Sequence, residues 1–438
     1  MLISLTGFKG NKSKWKSIVN RLSSVLIALL SLVISIEVGF RFFYRLIPLD
    51  VCASDPIIGA YICQPYFEYD NPIRIGYRYT PGFHLEGRWN PANPLQANKD
   101  NSTAPTNRDD SFHYRFVADE HGFPNEPSTW QNQYDIIISG DSFTIPSAPV
   151  SWIERLEEHA GQEILALGAP SWSTLNEVEA IRQFGMNKMP KYVLLLFFDG
   201  NDLINTQQYL ERKESGLDWR EYDMQEVKLY RRLLTPKLAT YLWRQLFPLE
   251  VEEIVDYRYP VVASTDAGPI ETVFKDVHLL PLSADYDTLA ASDEFEAVKS
   301  ALVSLNEDLA TQGSQLIVVY IPSKEHVLWS RVWDPVDVNN VLERTVTVTL
   351  NEEDSGTLRW EPNYISYDLF SETIRAQEQL FTDFTSKADI LFLNLTPILW
   401  RGSIENGELY HYADPHWNQA GNDLAADAIW EFLESLEK

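Results

Sequence analysis

Three residue types suited to acyl transfer stand at or near the ends of apolar runs in this chain. Ser142 follows the run Tyr134–Ser139 in the stretch YDIIISGDSFT. A serine hydroxyl is a weak nucleophile near neutral pH, so a base must take its proton, and the pKa of histidine suits that task. His416 stands in Tyr412-Ala413-Asp414-Pro415-His416-Trp417-Asn418. Asp414, two residues earlier, is placed to fix the imidazole tautomer and to stabilise the imidazolium. The tetrahedral intermediate of acyl transfer needs donors aimed at its oxyanion. The backbone N–H of Ser142, that of Gly168 and the side-chain amide of Asn201 could supply three. Glycine at 168 would also let a substrate come close to the backbone.

The elements that must position these residues follow from the apolar pattern. Tyr134–Ser139 is rich in Ile, too short for a helix and bounded by Gly140, so it predicts a buried strand. Further strands are expected at Ile164–Leu167, Tyr192–Phe198, Gln315–Tyr320 and Ile390–Leu395. Helical spacing covers Trp152–His159, Leu175–Phe184, Phe295–Leu309, Leu369–Phe384 and Ala420–Leu436. Strands apolar on both faces and separated by helices predict a parallel sheet covered on both sides. A serine where such a strand stops lies at the carboxyl edge, where open α/β sheets bind ligands. Two stretches break the rhythm and read as insertions, 206–292 and 331–367. The second half of the first is acidic and expected to be loop-like. Residues 44–133 are rich in Pro, Asn, Gly and aromatics and read as a stalk and irregular extension, with a short strand at His113–Val117.

The 438 residues carry a net charge of −27, which argues against nucleic acid as a partner. The first fifty run the other way, with seven basic residues against two acidic ones. Leu22–Ile36 holds no charge, and continuing through Phe40 gives the length a bilayer needs, with Glu37 near one end. Lys9, Lys12, Lys14, Lys16 and Arg21 precede it, so residues 1–21 should stay cytoplasmic, 22–43 should cross the plasma membrane, and the rest should be periplasmic or extracellular. A cleaved signal peptide is the competing reading, but bulky Phe40–Tyr44 follows the run without a small-residue cleavage pattern. The only cysteines, Cys52 and Cys63, could close one small loop in an oxidising compartment. No metal-ligand spacing and no Gly-rich phosphate loop appears, so no metal or cofactor is expected.

Gly140-Asp141-Ser142, Gly168, Gly200-Asn201-Asp202 and the late Asp414-Pro415-His416 resemble, in order, the four blocks of the SGNH (GDSL-type) hydrolase superfamily. The resemblance covers residues 134–438. It implies an α/β fold, a flavodoxin-like α/β/α sandwich with a mainly parallel five-stranded sheet, and a Ser-His-Asp esterase or acyltransferase site. By it Ser142 is nucleophile, His416 base, Asp414 the orienting acid, and Ser142, Gly168 and Asn201 the oxyanion hole. Two blocks depart from the pattern. The late block is Asp-x-His followed by Trp, not Asp-x-x-His, which is similar to the membrane-anchored envelope branch that includes alginate O-acetyltransferases. The third reads Asp-Gly-Asn-Asp in place of Gly-x-Asn-Asp.

The implied substrate is an acylated glycan or a small ester, with water or a sugar hydroxyl as acceptor. Each block alone also has a plainer reading: Gly-Asp-Ser as a turn, Asn201-Asp202 and Asp414-Pro415-His416 as helix caps. The alternative function is accordingly a catalytically silent glycan-binding or polysaccharide-assembly protein on the same fold. His326 and His411 are weaker candidates for substrate contact, and Asp202 and Lys324 are more simply a cap or salt bridge.

Overall fold

The computed structural model describes residues 12–43, 47, 67–70, 74–89, 91, 110–128, 130–217, 222, 233–246, 258–332 and 367–438. Cys52 and Cys63, and nearly all of the second expected insertion, lie outside them. The chain forms two compact units, Met1–Pro65 with Met224–Glu250, and Tyr66–Asp223 with Val251–Lys438. The first is built on one long helix, α1 (Lys12–Phe42). Within it Asn20–Phe40 is, among the described residues, the one stretch long and apolar enough to cross a membrane.

The second unit begins with the extension, which holds more strand than its composition predicts. β1 (Phe67–Tyr69) pairs antiparallel with β2 (Tyr77–Tyr79), and β3 (His84–Trp89) with β4 (Phe112–Val117). The cause is aromatic: Tyr79, Phe83 and Phe116 pack ring against ring across the hairpins. Polar contacts fasten the extension to the alternating part of the same unit. Asn176 Nδ2 donates to the Ile75 carbonyl at 2.6 Å, and the Trp172 indole donates to that of Tyr77 at 2.9 Å.

After β4, strands and helices alternate. β5 (Ile136–Gly140) leads through α2 (Trp152–Ala160) to β6 (Leu165–Gly168), then through α3 (Thr174–Ala180) to β7 (Tyr192–Phe198) and α4 (Asp202–Ser215). The chain passes into the first unit as α5 (Leu234–Leu246) and returns as an antiparallel hairpin, β8 (Arg258–Thr265) with β9 (Gly268–Lys275). α6 (Asp293–Ala310), β10 (Gln315–Ile321), α7 (Ala376–Ala388), β11 (Leu391–Asn394), α8 (Thr396–Asn406) and α9 (Gln419–Leu436) complete it.

The central sheet runs β11-β10-β7-β5-β6, all parallel. Numbered along the chain its strands have the flavodoxin-like order 2-1-3-4-5. Period-two alternation splits β7 cleanly between two cores. Leu194, Leu196 and Phe198 face α2 and α9, while Val193, Leu195 and Phe197 face α3, α6 and α7. The result is an α/β/α sandwich, and burial of each such side chain contributes about 1.5–3 kcal/mol.

Three elements differ from expectation. The acidic half of the first insertion carries the β8–β9 hairpin, because Val261 and Ala263 on one strand and Ile270 and Phe274 on the other are buried at alternate positions. Asp266 in the turn and Glu271 on β9 are exposed. The helix expected at Leu369–Phe384 is broken near Arg375 into Tyr367–Thr373 and α7. The one expected at Leu175–Phe184 ends as α3 followed by a wider π turn, Ile181–Gly185.

Leu195 is fully buried at the centre of the sheet. Leu195→Ala should destabilise the protein by about 2–5 kcal/mol, read as a lower urea midpoint with an unchanged slope.

Candidate active site

Ser142 sits where β5 stops, on the short helical turn Ser142–Thr144. Asp141 caps that turn, its carboxylate accepting from the Phe143 N–H at 3.0 Å. Gly168 is paired beside Gly140 at the end of the neighbouring strand. A Cβ there would lie 2.1 Å from Thr144 Oγ1 and 2.5 Å from the Gly140 carbonyl oxygen. The close approach anticipated for a substrate at Gly168 is thus made by the serine turn itself, which is what excludes any larger residue.

Asp414 and His416 come from a tight loop between α8 and α9. His411 N–H donates to the His416 carbonyl (3.0 Å) and Asn418 N–H to that of Leu409 (2.9 Å), closing the loop on itself. His416 Nε2 accepts from Ser142 Oγ at 2.8 Å, and its Nδ1–H donates to Asp414 Oδ1 at 2.5 Å. The two-residue spacing lets the same carboxylate oxygen accept the His416 backbone N–H at 3.0 Å. Burial opposes ionisation of Asp414, but the adjacent imidazole and its hydrogen bond hold the carboxyl well below the usual carboxylate range. The Phe143 ring packs 4.9 Å from the imidazole and 4.9 Å from buried Trp417. Ser147 Oγ and Asn422 Nδ2 both donate to the Trp417 carbonyl, tying the serine and histidine segments together.

Asn201 stands at the residue before α4, at the end of β7, on the far side of β5 from β6, and its side chain makes no cap bond to that helix. Its Nδ2 lies 3.4 Å from Asp141 Oδ2, the same oxygen that lies 3.4 Å from Ser142 Oγ. The amide therefore stands beside the Ser142 hydroxyl, at the point where the strand order reverses and α/β sheets form their ligand crevice. Burial raises the Asp141 carboxyl, against the Phe143 N–H and the His416 and Asn201 side chains. Glu177 and Asp202 lie below, both fully buried. Burial first, then repulsion among the three carboxyls, pushes Glu177 and Asp202 well up. Their neutral forms are favoured.

The remaining candidates have structural partners. His411 is buried and donates from Nε2 to the Ser147 carbonyl at 2.6 Å, with Trp89 and Phe112 packed on its ring. His326 pairs with buried Asp199, Nδ1 to Oδ2 at 2.6 Å, and faces Glu378 at 3.5 Å. Asp202 accepts the Phe198 N–H.

Lys324 does more than the sequence suggested. Fully buried, its Nζ donates to the carbonyls of His411 (3.1 Å), Tyr412 (2.8 Å) and Asp414 (3.2 Å), so it holds the loop that carries Asp414 and His416. The β8–β9 hairpin adds a second grip, with Val273 N–H and Thr272 Oγ1 also donating to the Tyr412 carbonyl. A lysine after a strand end carried no signal of this, because its targets are backbone atoms some ninety residues away.

No family model and no curated protein matches the chain. Solved structures do. A GDSL-like lipase from Bacteroides thetaiotaomicron is 9% identical, with 70% of this chain and 94% of that one covered and a TM-score of 0.32. The lipase/acylhydrolase from Enterococcus faecalis is 9% identical over 69% and 96%, TM-score 0.31. An acetyl xylan esterase is 10% identical over 68% and 99%, TM-score 0.30. Likenesses this distant decide nothing about activity, which must be argued from the site.

Lys324→Met should leave the sheet intact but loosen the loop. Hydrogen exchange should quicken at residues 409–418 and stay unchanged in β11. A second outcome concerns pH. Burial would lower the His326 imidazole, but Asp199 and Glu378 raise it to about 9. A pKa raised in the folded state stabilises fully below the unfolded value of about 6.5, and that contribution fades as pH rises through 9. Urea midpoints compared across this window should show wild type losing an advantage over His326→Gln on the order of 3 kcal/mol.

Proposed function

We propose that this chain is a membrane-anchored serine esterase or O-acyltransferase acting on O-acyl groups, chiefly acetyl, of envelope or extracellular polysaccharide. The observation that carries the reading is the hydrogen-bonded line Ser142 Oγ–His416 Nε2 and His416 Nδ1–Asp414 Oδ1, at 2.8 and 2.5 Å. These are the distances at which a hydroxyl can be deprotonated by an oriented imidazole. Support for the glycan and for the anchor comes from the Asp-x-His-Trp block and from the apolar span Asn20–Phe40.

Ser142 Oγ attacks the ester carbonyl carbon as its proton passes to His416 Nε2. Asp414, held ionised, stabilises the imidazolium. The carbonyl oxygen takes the negative charge and accepts from the Ser142 and Gly168 N–H groups and from Asn201 Nδ2. As the C–O bond to the sugar breaks, His416 returns the proton to the departing oxygen, leaving an acyl-serine. Water, or a second sugar hydroxyl, then gives its proton to His416 and attacks the acyl carbon, and as the bond from that carbon to Ser142 Oγ breaks, His416 Nε2 passes the proton to Oγ, which restores the free serine. An ionised Asp141 would oppose the oxyanion. Burial, by favouring the neutral form, reduces that opposition.

Wild type should turn over p-nitrophenyl acetate or an acetylated oligosaccharide and label with a fluorophosphonate, and Ser142→Ala should do neither. Asn201→Ala should lower kcat by about 10²–10³ with the fold intact. Glycan binding that survives Ser142→Ala and His416→Ala, with no turnover by wild type, would establish the non-catalytic alternative.

A further inference from the structure

The helix α5 presents an apolar side to the outside. Its Leu234 and Leu238 are buried, but Leu242, Trp243 and Leu246 are 56%, 54% and 72% exposed. With exposed Ala239 they fall at i, i+3, i+4 and i+7, which is one continuous stripe along a helix. Lys237 is on the opposite side of that stripe. A helix bathed in water would carry polar residues where this one carries leucine and tryptophan.

The position of α5 is set by α1, in the same compact unit. Glu37 is three residues from the end of the apolar span Asn20–Phe40, and it is buried. Its carboxylate accepts from the Leu234 N–H (2.9 Å), the Thr235 N–H (3.0 Å) and the Thr235 hydroxyl (2.9 Å). A carboxylate at a helix N-terminus satisfies donors that otherwise lack partners, and it meets the positive end of the helix dipole. The start of α5 is thereby fixed at one end of the apolar span.

Resting on the reading of α1 as a membrane anchor, we infer that α5 is an interfacial helix whose stripe of Ala239, Leu242, Trp243 and Leu246 lies in the headgroup boundary of the bilayer that α1 crosses. The occupant of the stripe is phospholipid. Continuity argues this, since Glu37, on the helix that carries the exposed leucines, holds the first residues of the helix that carries the stripe. Length argues that α5 lies on the bilayer. Its 13 residues reach roughly 20 Å, short of the ~30 Å hydrocarbon core. Tryptophan beside leucine is the composition that such a depth favours. The chain then meets its membrane twice, once through α1 and once through the insertion that comes after α4.

Photocrosslinking of the full chain tests this. p-Benzoylphenylalanine replaces Leu29, Lys237 or Trp243, one at a time, and each protein is reconstituted in vesicles of phosphatidylethanolamine and phosphatidylglycerol, irradiated and weighed by mass spectrometry. Lipid mass should appear with the probe at 29 and at 243, and at least about tenfold less at 237. Lipid at 29 without lipid at 243, or a protein adduct at 243, overturns the interfacial helix while the anchor stands. No lipid at 29 overturns the anchor itself.

Discussion

A buried ammonium holds the loop on which the site depends. Removing Lys324 from water is costly by several kcal/mol, and only well-placed acceptors offset that. Three converging backbone carbonyls, those of His411, Tyr412 and Asp414, provide them. The dependence runs both ways. The cation is tolerated because the loop turns its carbonyls inward, and the loop keeps that shape because the cation is there. Asp414 and His416 ride on the same turn, so the 2.8 Å contact between His416 and Ser142 depends on the carbonyls that Lys324 holds.

The other buried charges divide by whether donors reach them. Asp199 accepts from the Ser323 N–H, the Tyr320 hydroxyl and the His326 ring, and Glu378 accepts from Arg375 and Asn394 and faces the His326 ring at 3.5 Å. The Glu378 carboxyl is held at about 2 in spite of its burial. Glu177 is different, since neither of its carboxylate oxygens has a hydrogen-bond partner among the described residues, and burial prevails. The same sheet edge thus keeps a His326–Asp199 pair and, beneath the serine turn, a set of acids whose carboxyls burial pushes up. Chemistry that develops negative charge at the turn is helped by that division.

The sheet was legible in the sequence because its strands are apolar on both faces and short, so run length alone marked them. β7 matches Tyr192–Phe198 at both ends, and the others shift by one or two residues. Ser142, His416, Asp414 and Asn201 were legible from their place at strand ends and before the last helix, and the structure brings them together. The parts that were missed are those whose signal is not local. β8 and β9 alternate, but they lie inside a long stretch whose flanking residues are acidic and irregular in pattern. Lys324 and the role of Gly168 depend on backbone atoms from other elements, which no spacing along the chain reveals. Glu37, which from sequence stands near the end of an apolar run and four residues from Arg41, caps a helix nearly two hundred residues later.

The first insertion joins these observations. It opens at α4, just after Asn201, and closes on a hairpin that donates two hydrogen bonds to the Tyr412 carbonyl. Between them the chain visits the unit of α1. A long excursion between two strands adds little to the entropy of closing the sheet, because that cost grows only with the logarithm of loop length. The sheet could therefore form without it. What the excursion supplies is placement: its β8–β9 hairpin grips the loop that carries Asp414 and His416 through the Tyr412 carbonyl. Its middle, pinned by Glu37, puts the same stretch of chain within the unit that carries the apolar span.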